Sequence, residues 1–83
     1  MRHEIKIEHQ YLMHILEEKK MFEVRKNDRD YQVGDIIRFL PIDSSTGYNV
    51  YDEFGDVPEY KITYIYTGNL VNQNHVVLGI KKA

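Results

Sequence analysis

Apolar and polar residues alternate from His3 to Ile7, and this period of two predicts a half-buried first strand. From Glu8 to about Glu18 the period becomes helical, with polar residues opposite a single apolar stripe. An amphipathic helix is therefore expected to follow the first strand. Its apolar stripe consists of Tyr11, Leu12, Ile15 and Leu16.

A period of two returns from Met21 to Lys26 and predicts a second strand. The dipeptide Asn27-Asp28 predicts a tight turn directly after it, because short polar side chains bond their own backbone and tolerate left-handed conformations. The alternation separates two faces of the strand, one with Phe22 and Val24 and the other with Met21, Glu23 and Arg25.

The next segment contains a turn, a strand and a long irregular loop. Val33-Gly34-Asp35 predicts a turn that leads into a third strand, Ile36–Leu40. We expect this strand to end at Pro41, because proline cannot donate to a central ladder. Residues 43–58 lack a regular period, and a loop of this length in a compact domain is often functional or mobile.

Two further strands, Glu59–Thr67 and His75–Lys81, complete the pattern, and we expect Ile62, Tyr64 and Tyr66 to share one face of the first of them. The order is β-α-β-β-loop-β-β, and 83 residues are enough for a single domain, 1–83. The predicted fold class is α+β, a small and mostly antiparallel five-stranded β-barrel capped by the N-terminal α-helix.

The composition excludes several classes of protein. The chain contains no cysteine, and its four histidines have no metal-ligand spacing, so no metal site is expected. No glycine-rich phosphate loop is present, and no cofactor is expected. Charges occur throughout the first twenty residues, and no apolar run approaches the roughly 20 residues of a membrane span. We therefore expect a cytoplasmic protein.

Charge is unevenly distributed along the chain. The net charge is −2, yet five of the eleven Lys and Arg residues lie between Lys19 and Arg29. Five acidic residues and no basic ones lie between Asp43 and Tyr60. A local basic patch on a mildly acidic protein favours a small anionic ligand or a short nucleic-acid segment over long duplex DNA.

The basic segment contains a motif. Lys20, Glu23 and Arg25 match the last three positions of the ASCH domain pattern G-x-K-x-x-E-x-R, and Glu18 stands where the pattern has glycine. The seventeen-residue run 19–35 resembles still more closely a small uncharacterised bacterial and phage family of ASCH and PUA-like domains. Residues 75–81 are similar to the closing strand of that family, so the resemblance covers nearly the whole chain.

The resemblance implies a PUA-like β-barrel. ASCH and PUA relatives are associated with RNA binding, and some small ASCH proteins are amidohydrolases of acylated nucleosides. Those hydrolases use a threonine in the signature strand and a carboxylate on a later helix, whereas Glu23 occupies the matching strand position here and no second helix is predicted. Because Glu18 replaces glycine, the loop between the predicted helix and the second strand is expected to lack the freedom that glycine has at positive φ.

The motif residues define a candidate binding site. Strand alternation places Glu23 and Arg25 on one face, and Lys20 approaches from the helix end. Arginine can bind a phosphate or carboxylate through two parallel hydrogen bonds, whereas lysine acts as a point charge. The leading hypothesis is a module that binds RNA or a nucleotide-like ligand in this cleft. The candidate residues are Lys20, Glu23 and Arg25, with Asn27, Asp28 and Arg29 as a polar rim.

Several alternatives stay open. In the first alternative, Lys20, Glu23 and Arg25 bind no ligand and form an ordinary surface salt bridge, worth roughly 0–1 kcal/mol. A second hypothesis is a small amidohydrolase that acts on a modified nucleoside, with Lys20 or Glu23 as acid or base. A third is a protein-interaction domain that uses the acidic loop 43–60. The aromatic residues Tyr31, Tyr48, Tyr64 and Tyr66 are either stacking residues for a base or packing residues.

Overall fold

The computed structural model describes all 83 residues and contains one α-helix, one short 3-10 helix and five strands. The predicted order β-α-β-β-loop-β-β is confirmed. No helix has the length and apolar character that crossing a membrane requires. The elements are β1 (Arg2–Glu8), α1 (His9–Leu16), β2 (Phe22–Lys26), β3 (Ile36–Ile42), the 3-10 helix (Tyr51–Glu53), β4 (Tyr60–Tyr66) and β5 (His75–Lys82).

The five strands form one curled sheet in the order β1-β3-β4-β5-β2. β1 and β3 are parallel, whereas the other three neighbouring pairs are antiparallel. The sheet is therefore mixed, a half-barrel with two edge strands, β1 and β2. A parallel pair requires a crossover connection, and α1 and β2 lie between β1 and β3 in the chain. The helix packs against this parallel pair.

Twelve buried apolar residues form a single core cluster, and β2 is the one strand that contributes none of them. On α1 only Leu12 and Ile15 are buried, whereas Tyr11 and Leu16 are 42% and 38% exposed. The predicted helical stripe is thus half core and half surface. The cluster consists of Ile5, Ile7, Leu12, Ile15, Tyr31, Ile37, Phe39, Tyr60, Ile62, Val76, Leu78 and Ile80.

β3 continues through Pro41 to Ile42, so the expectation that it ends at Pro41 is wrong. The carbonyl of Pro41 accepts a hydrogen bond from the Val50 N–H (3.0 Å), on the side of the strand that faces away from β1. β4 pairs only with Ile36 and Ile37 at the start of β3. Proline has no N–H to donate, and on this side of β3 no strand is present that would accept a hydrogen bond from residue 41.

β4 contains a bulge that changes which side chains point inward. The register with β5 shifts between Ile62 and Tyr64, so Thr63 is an extra residue. Ile62 is consequently buried, whereas Tyr64 is 66% exposed. The prediction that Ile62, Tyr64 and Tyr66 share one face is therefore wrong, because the period of two does not continue across the bulge.

The connection from α1 to β2 has a left-handed residue. Glu18 has a φ of 62°, and the N–H groups of Lys19 and Lys20 both donate to the carbonyl of His14 (2.9 and 3.2 Å). The loop thus has a positive φ although glycine is absent, because a helix that ends with this pair of hydrogen bonds requires a left-handed residue at this position. A left-handed conformation costs a non-glycine residue about 1–2 kcal/mol.

Glu18→Gly is therefore expected to raise the free energy of unfolding by about 0.5 kcal/mol, since relief of the strain exceeds the added entropy of the unfolded chain. Denaturant unfolding of both proteins measures the change. Glu17→Gly is the control, because Glu17 has a φ of −82° and gains nothing from glycine. A Glu18→Gly protein no more stable than wild type would contradict the prediction.

The irregular segment 43–58 lies against the core through Phe54 and Val57. Its first turn is held by the carboxylate of Asp43, which accepts hydrogen bonds from the N–H and hydroxyl of Ser45 (2.8 and 2.6 Å). Tyr48 is 77% exposed. No residue of this segment lines the cleft that β2 forms with β1 and α1.

A buried polar cluster connects β1 to the turn before β3. Nε2 of His3 lies 2.8 Å from Oδ2 of Asp35, and the Gln32 N–H donates to the same oxygen (3.0 Å). The N-terminal ammonium donates to Oδ1 (3.1 Å). The Tyr31 ring packs 4.8 Å from the His3 ring and is buried, so Tyr31 is a packing residue. The predicted turn at Gly34-Asp35 is confirmed, and its carboxylate also organises this cluster.

The cluster keeps Asp35 ionised. Burial alone would raise the pKa of Asp35, but the hydrogen bonds from His3 and from the Gln32 N–H outweigh it and lower the pKa from 3.8 to about 2. An ionised carboxylate only accepts hydrogen bonds, so Nε2 of His3 carries a proton and donates it.

Candidate ligand-binding cleft

β2 directs Glu23 and Arg25 toward the inside of the curled sheet and its apolar side chains outward. Glu23 is 5% exposed, whereas Phe22 and Val24 are 44% and 48% exposed. The register with β5 places Glu23 opposite Leu78, a core residue. Hydrophobic burial alone would favour the opposite orientation, with Phe22 and Val24 inside. A shift of the strand register by one residue would produce it. Such a departure from ordinary patterning is expected at functional sites.

Glu23 lies between two cationic side chains. Its Oε1 accepts a hydrogen bond from Nζ of Lys20 (2.7 Å), and its Oε2 accepts one from a terminal nitrogen of Arg25 (3.3 Å). The Lys20 and Arg25 side chains are 18% and 29% exposed, so water screens these pairs less than it would on an open surface. The motif therefore forms one ionic cluster at the inner face of β2.

Two arginines also bind the backbone of the edge strand β1. Arg25 donates to the carbonyl of Lys6 and Arg29 to the carbonyl of Glu4, each at 2.9 Å. Residues two apart on a strand direct their carbonyls to the same side. The two guanidinium groups thus connect the edge strand β1 to β2 and to the turn after β2. These side chains join the two edges of the sheet, which no backbone pairing connects. Arg25 consequently serves both the fold and the ionic cluster.

The ionic cluster forms part of a cleft of ≈ 440 Å³ between β2, β1 and the start of α1. Three basic and two acidic residues line it, which gives a formal charge of +1 at pH 7. The ring of Tyr11 contributes an aromatic surface, and Nζ of Lys20 lies 5.8 Å from its centroid. The lining residues are Lys6, Ile7, Glu8, Tyr11, Lys20, Glu23, Val24, Arg25 and Ile42.

The residues predicted as a polar rim lie outside this lining. β2 ends at Lys26, and the chain then turns toward β5, where the Asn27 N–H donates to the carbonyl of Asn74 (2.7 Å). Asn27 lines a separate polar hollow formed with residues 67–75. Asp28 is exposed, and Arg29 is held at the β1 edge. The structure therefore groups Lys20, Glu23 and Arg25, and separates Asn27, Asp28 and Arg29 from them.

Sequence reasoning missed three lining residues with relevant chemistry: Lys6, Glu8 and Tyr11. Lys6 and Glu8 belong to an edge strand, and only the curl of the sheet, which brings its two edges β1 and β2 together, places them beside β2. The sole hydroxyl in the lining is the phenol of Tyr11, and Lys20 is already paired with Glu23. This arrangement is suited to holding an anion and a flat ring.

The fold and the cleft define a small α+β domain with a weakly basic, partly aromatic cleft beside β2. Residues 2–80 match the family described as a domain of unknown function, DUF3850. The match extends over almost the entire sequence, so the chain belongs to this family. No curated protein matches the sequence. The predicted resemblance to a small uncharacterised family is confirmed to this extent.

Proposed function

We propose that this chain is a binding module of the ASCH and PUA-like type, whose cleft accepts RNA or a nucleotide-like anion. The observation that carries the proposal is the orientation of β2. This strand buries Glu23 and exposes Phe22 and Val24, against the preference of hydrophobic packing. This orientation lowers the stability of a domain that is too small to have much to lose. A ligand site accounts for it, because function is a common reason for a protein to keep a destabilising feature.

The lining matches the two parts of a nucleotide. Lys20, Arg25 and Lys6 supply positive charge for a phosphate, and Arg25 supplies a planar donor group. Tyr11 supplies a ring on which a base stacks. The cleft volume of ≈ 440 Å³ falls in the range of small-ligand sites, ~300–1,000 Å³.

Glu23 has two functions in this proposal. It holds Lys20 and Arg25 at fixed positions, so these long side chains lose less conformational entropy when a ligand binds. Its carboxylate is also the acceptor nearest the cations and is suited to the exocyclic amino group of a base. The net charge of the cleft favours a ligand with one or two negative charges.

Lys6→Gln tests the site without disturbing the ionic cluster, because Lys6 lines the cleft and the hydrogen bond from Arg25 goes to its backbone carbonyl, which the substitution keeps. We expect this variant to bind nucleoside monophosphates and a short single-stranded RNA about three- to fivefold more weakly, from the loss of one nearby charge. Arg38→Gln is the matched control, since it removes one exposed charge from the adjacent strand, outside the cleft.

Amide NMR spectra recorded during each titration locate the site. Shifts centred on Tyr11 and on residues 20–25 that weaken with added salt are the expected result. Equal affinities of the two variants, or no shift in the cleft with any of these ligands, would contradict the proposal. Turnover of N4-acetylcytidine by the same protein would support the amidohydrolase alternative instead.

A further inference from the structure

The outer face of β2, β5 and β4 carries an aromatic surface that the cleft does not use. The register places Gly79 opposite Phe22 on one side and opposite Tyr64 on the other. The next outward row contains Val24, Val77 and Tyr66. We name the surface formed by Phe22, Val24, Tyr64, Tyr66, Val77 and Gly79 the outer platform.

The outer platform is open to solvent. Tyr64, Val24 and Phe22 are 66%, 48% and 44% exposed. Gly79 lies between Phe22 and Tyr64 in the first row, and a side chain added there would point at Thr63 and Tyr64. The absence of a side chain at Gly79 lets Thr63 and Tyr64 lie close to the β5 backbone, since a Cβ there would lie 3.2 Å from Oγ1 of Thr63 and 3.3 Å from Cβ of Tyr64. The bulge at Thr63 is what brings Tyr64 to this face.

Basic side chains surround the outer platform. Lys61 and Lys81 lie opposite each other in the row beyond Gly79, and Lys26 lies at the far end of β2. Nζ of Lys20 lies 5.0 Å from the centroid of the Phe22 ring. Within β2, β4 and β5 the outward-facing charged residues are all lysines. The acidic residue next to Phe22 and Val24 in the sequence, Glu23, is buried on the opposite face, and Glu59, which precedes β4, is paired with Arg2.

We propose that the outer platform binds single-stranded nucleic acid, with bases stacked on Tyr64 and Phe22 and phosphates beside the surrounding lysines. Exposed aromatic rings framed by positive charge are the combination that binds single strands with little sequence preference. A second copy of this chain fits less well, because a symmetric contact would bring lysines against lysines. This site is distinct from the cleft, although Lys20 borders both and Val24 contributes to both.

Tyr64→Ala tests the outer platform. We expect this variant to bind a fluorescein-labelled decauridylate about tenfold more weakly in an anisotropy titration, since a stacked base loses its ring. Tyr64→Phe keeps the ring and should bind within about twofold of wild type. Tyr48→Ala is the matched control, because Tyr48 is a similarly exposed tyrosine away from the platform. Circular dichroism confirms that each variant is folded.

A second measurement concerns charge. Lys81→Gln should lower the salt dependence of decauridylate binding by about one unit of slope. Equal affinity of Tyr64→Ala and wild type, or no binding of the oligomer by wild type, would overturn the proposal. A dimer in sedimentation experiments that Tyr64→Ala dissociates would overturn it in favour of a second copy. Failure of the cleft is recognised separately, because Lys6→Gln changes mononucleotide binding whereas Tyr64→Ala does not.

Discussion

Replacing Asp35 with asparagine is expected to lower the free energy of unfolding by about 2–3 kcal/mol at pH 7. The Asp35 carboxylate is 5% exposed and accepts hydrogen bonds from His3 and from the Gln32 N–H. An amide has one acceptor oxygen and no charge, so part of this donor set is left buried without a partner. Urea unfolding with Asp28→Asn as the control measures the effect, since Asp28 is an exposed acid.

The loss is expected to depend on pH. The folded pKa of Asp35, about 2, lies below the ordinary 3.8, so the unfolded chain binds this proton more readily than the folded protein does. The carboxylate therefore contributes stability that is fully present above about pH 4 and is lost as the pH falls toward 2. The difference between wild type and Asp35→Asn should shrink over that range. A difference that stays constant from pH 7 to pH 2 would show that the charge of Asp35 is unimportant.

The Asp35 cluster also shows what the sequence alone does not reveal. His3 and Asp35 are 32 positions apart, and nothing local to either residue indicates the other. The Gly34-Asp35 dipeptide predicts a turn, because its backbone chemistry is local. The role of the carboxylate depends on the parallel pairing of β1 with β3. Long-range pairings of this kind are set by the whole fold.

Local periods did predict the regular elements. The helix and the strands lie close to their predicted positions, because each apolar pattern is long enough to separate a period of 3.6 from a period of two. The two errors within strands have identifiable causes. Pro41 is tolerated because β4 has already separated from β3 at that point, and the bulge at Thr63 carries no glycine or proline that would mark it.

The candidate site was predictable only in part. Alternation correctly placed Glu23 and Arg25 on one face of β2, and the motif spacing correctly grouped them with Lys20. A pattern of two faces does not say which face is inside, and hydrophobicity would have selected the face of Phe22 and Val24. Asn27, Asp28 and Arg29 lie away from the cleft although they follow Arg25 closely in the sequence, because the turn after β2 changes the direction of the chain.

Glu23→Gln is expected to have opposite effects on stability and on binding. The substitution removes the partner of both Lys20 and Arg25 while keeping the shape of the side chain. Removing one member of a buried ion pair costs about 3–5 kcal/mol, and the partial exposure of both cations reduces this to about 2 kcal/mol. The melting temperature should fall accordingly.

Binding of a nucleoside monophosphate should instead tighten by about three- to tenfold, because the gain in positive charge outweighs the loss of order in Lys20 and Arg25, and the amide oxygen of glutamine still accepts a hydrogen bond from a base amino group. The formal charge of the cleft rises from +1 to +2, and Lys20 and Arg25 no longer share their donors with a carboxylate. Glu8→Gln is the matched control, because it raises the cleft charge equally and Glu8 makes no side-chain capping hydrogen bond. That variant should tighten binding with little loss of stability.

Calorimetric titration and thermal unfolding of the two variants separate the functions proposed for Glu23. Tighter binding by both variants means that the charge of Glu23 opposes the anion and that no hydrogen bond from the ligand requires its carboxylate. Weaker binding by Glu23→Gln, with tighter binding by Glu8→Gln, means that the Glu23 carboxylate itself accepts a hydrogen bond from the ligand, as an exocyclic amino group would provide. Unchanged affinity in both variants would contradict an electrostatic role of the cleft, because a unit change in charge at this distance has to alter the affinity for an anion.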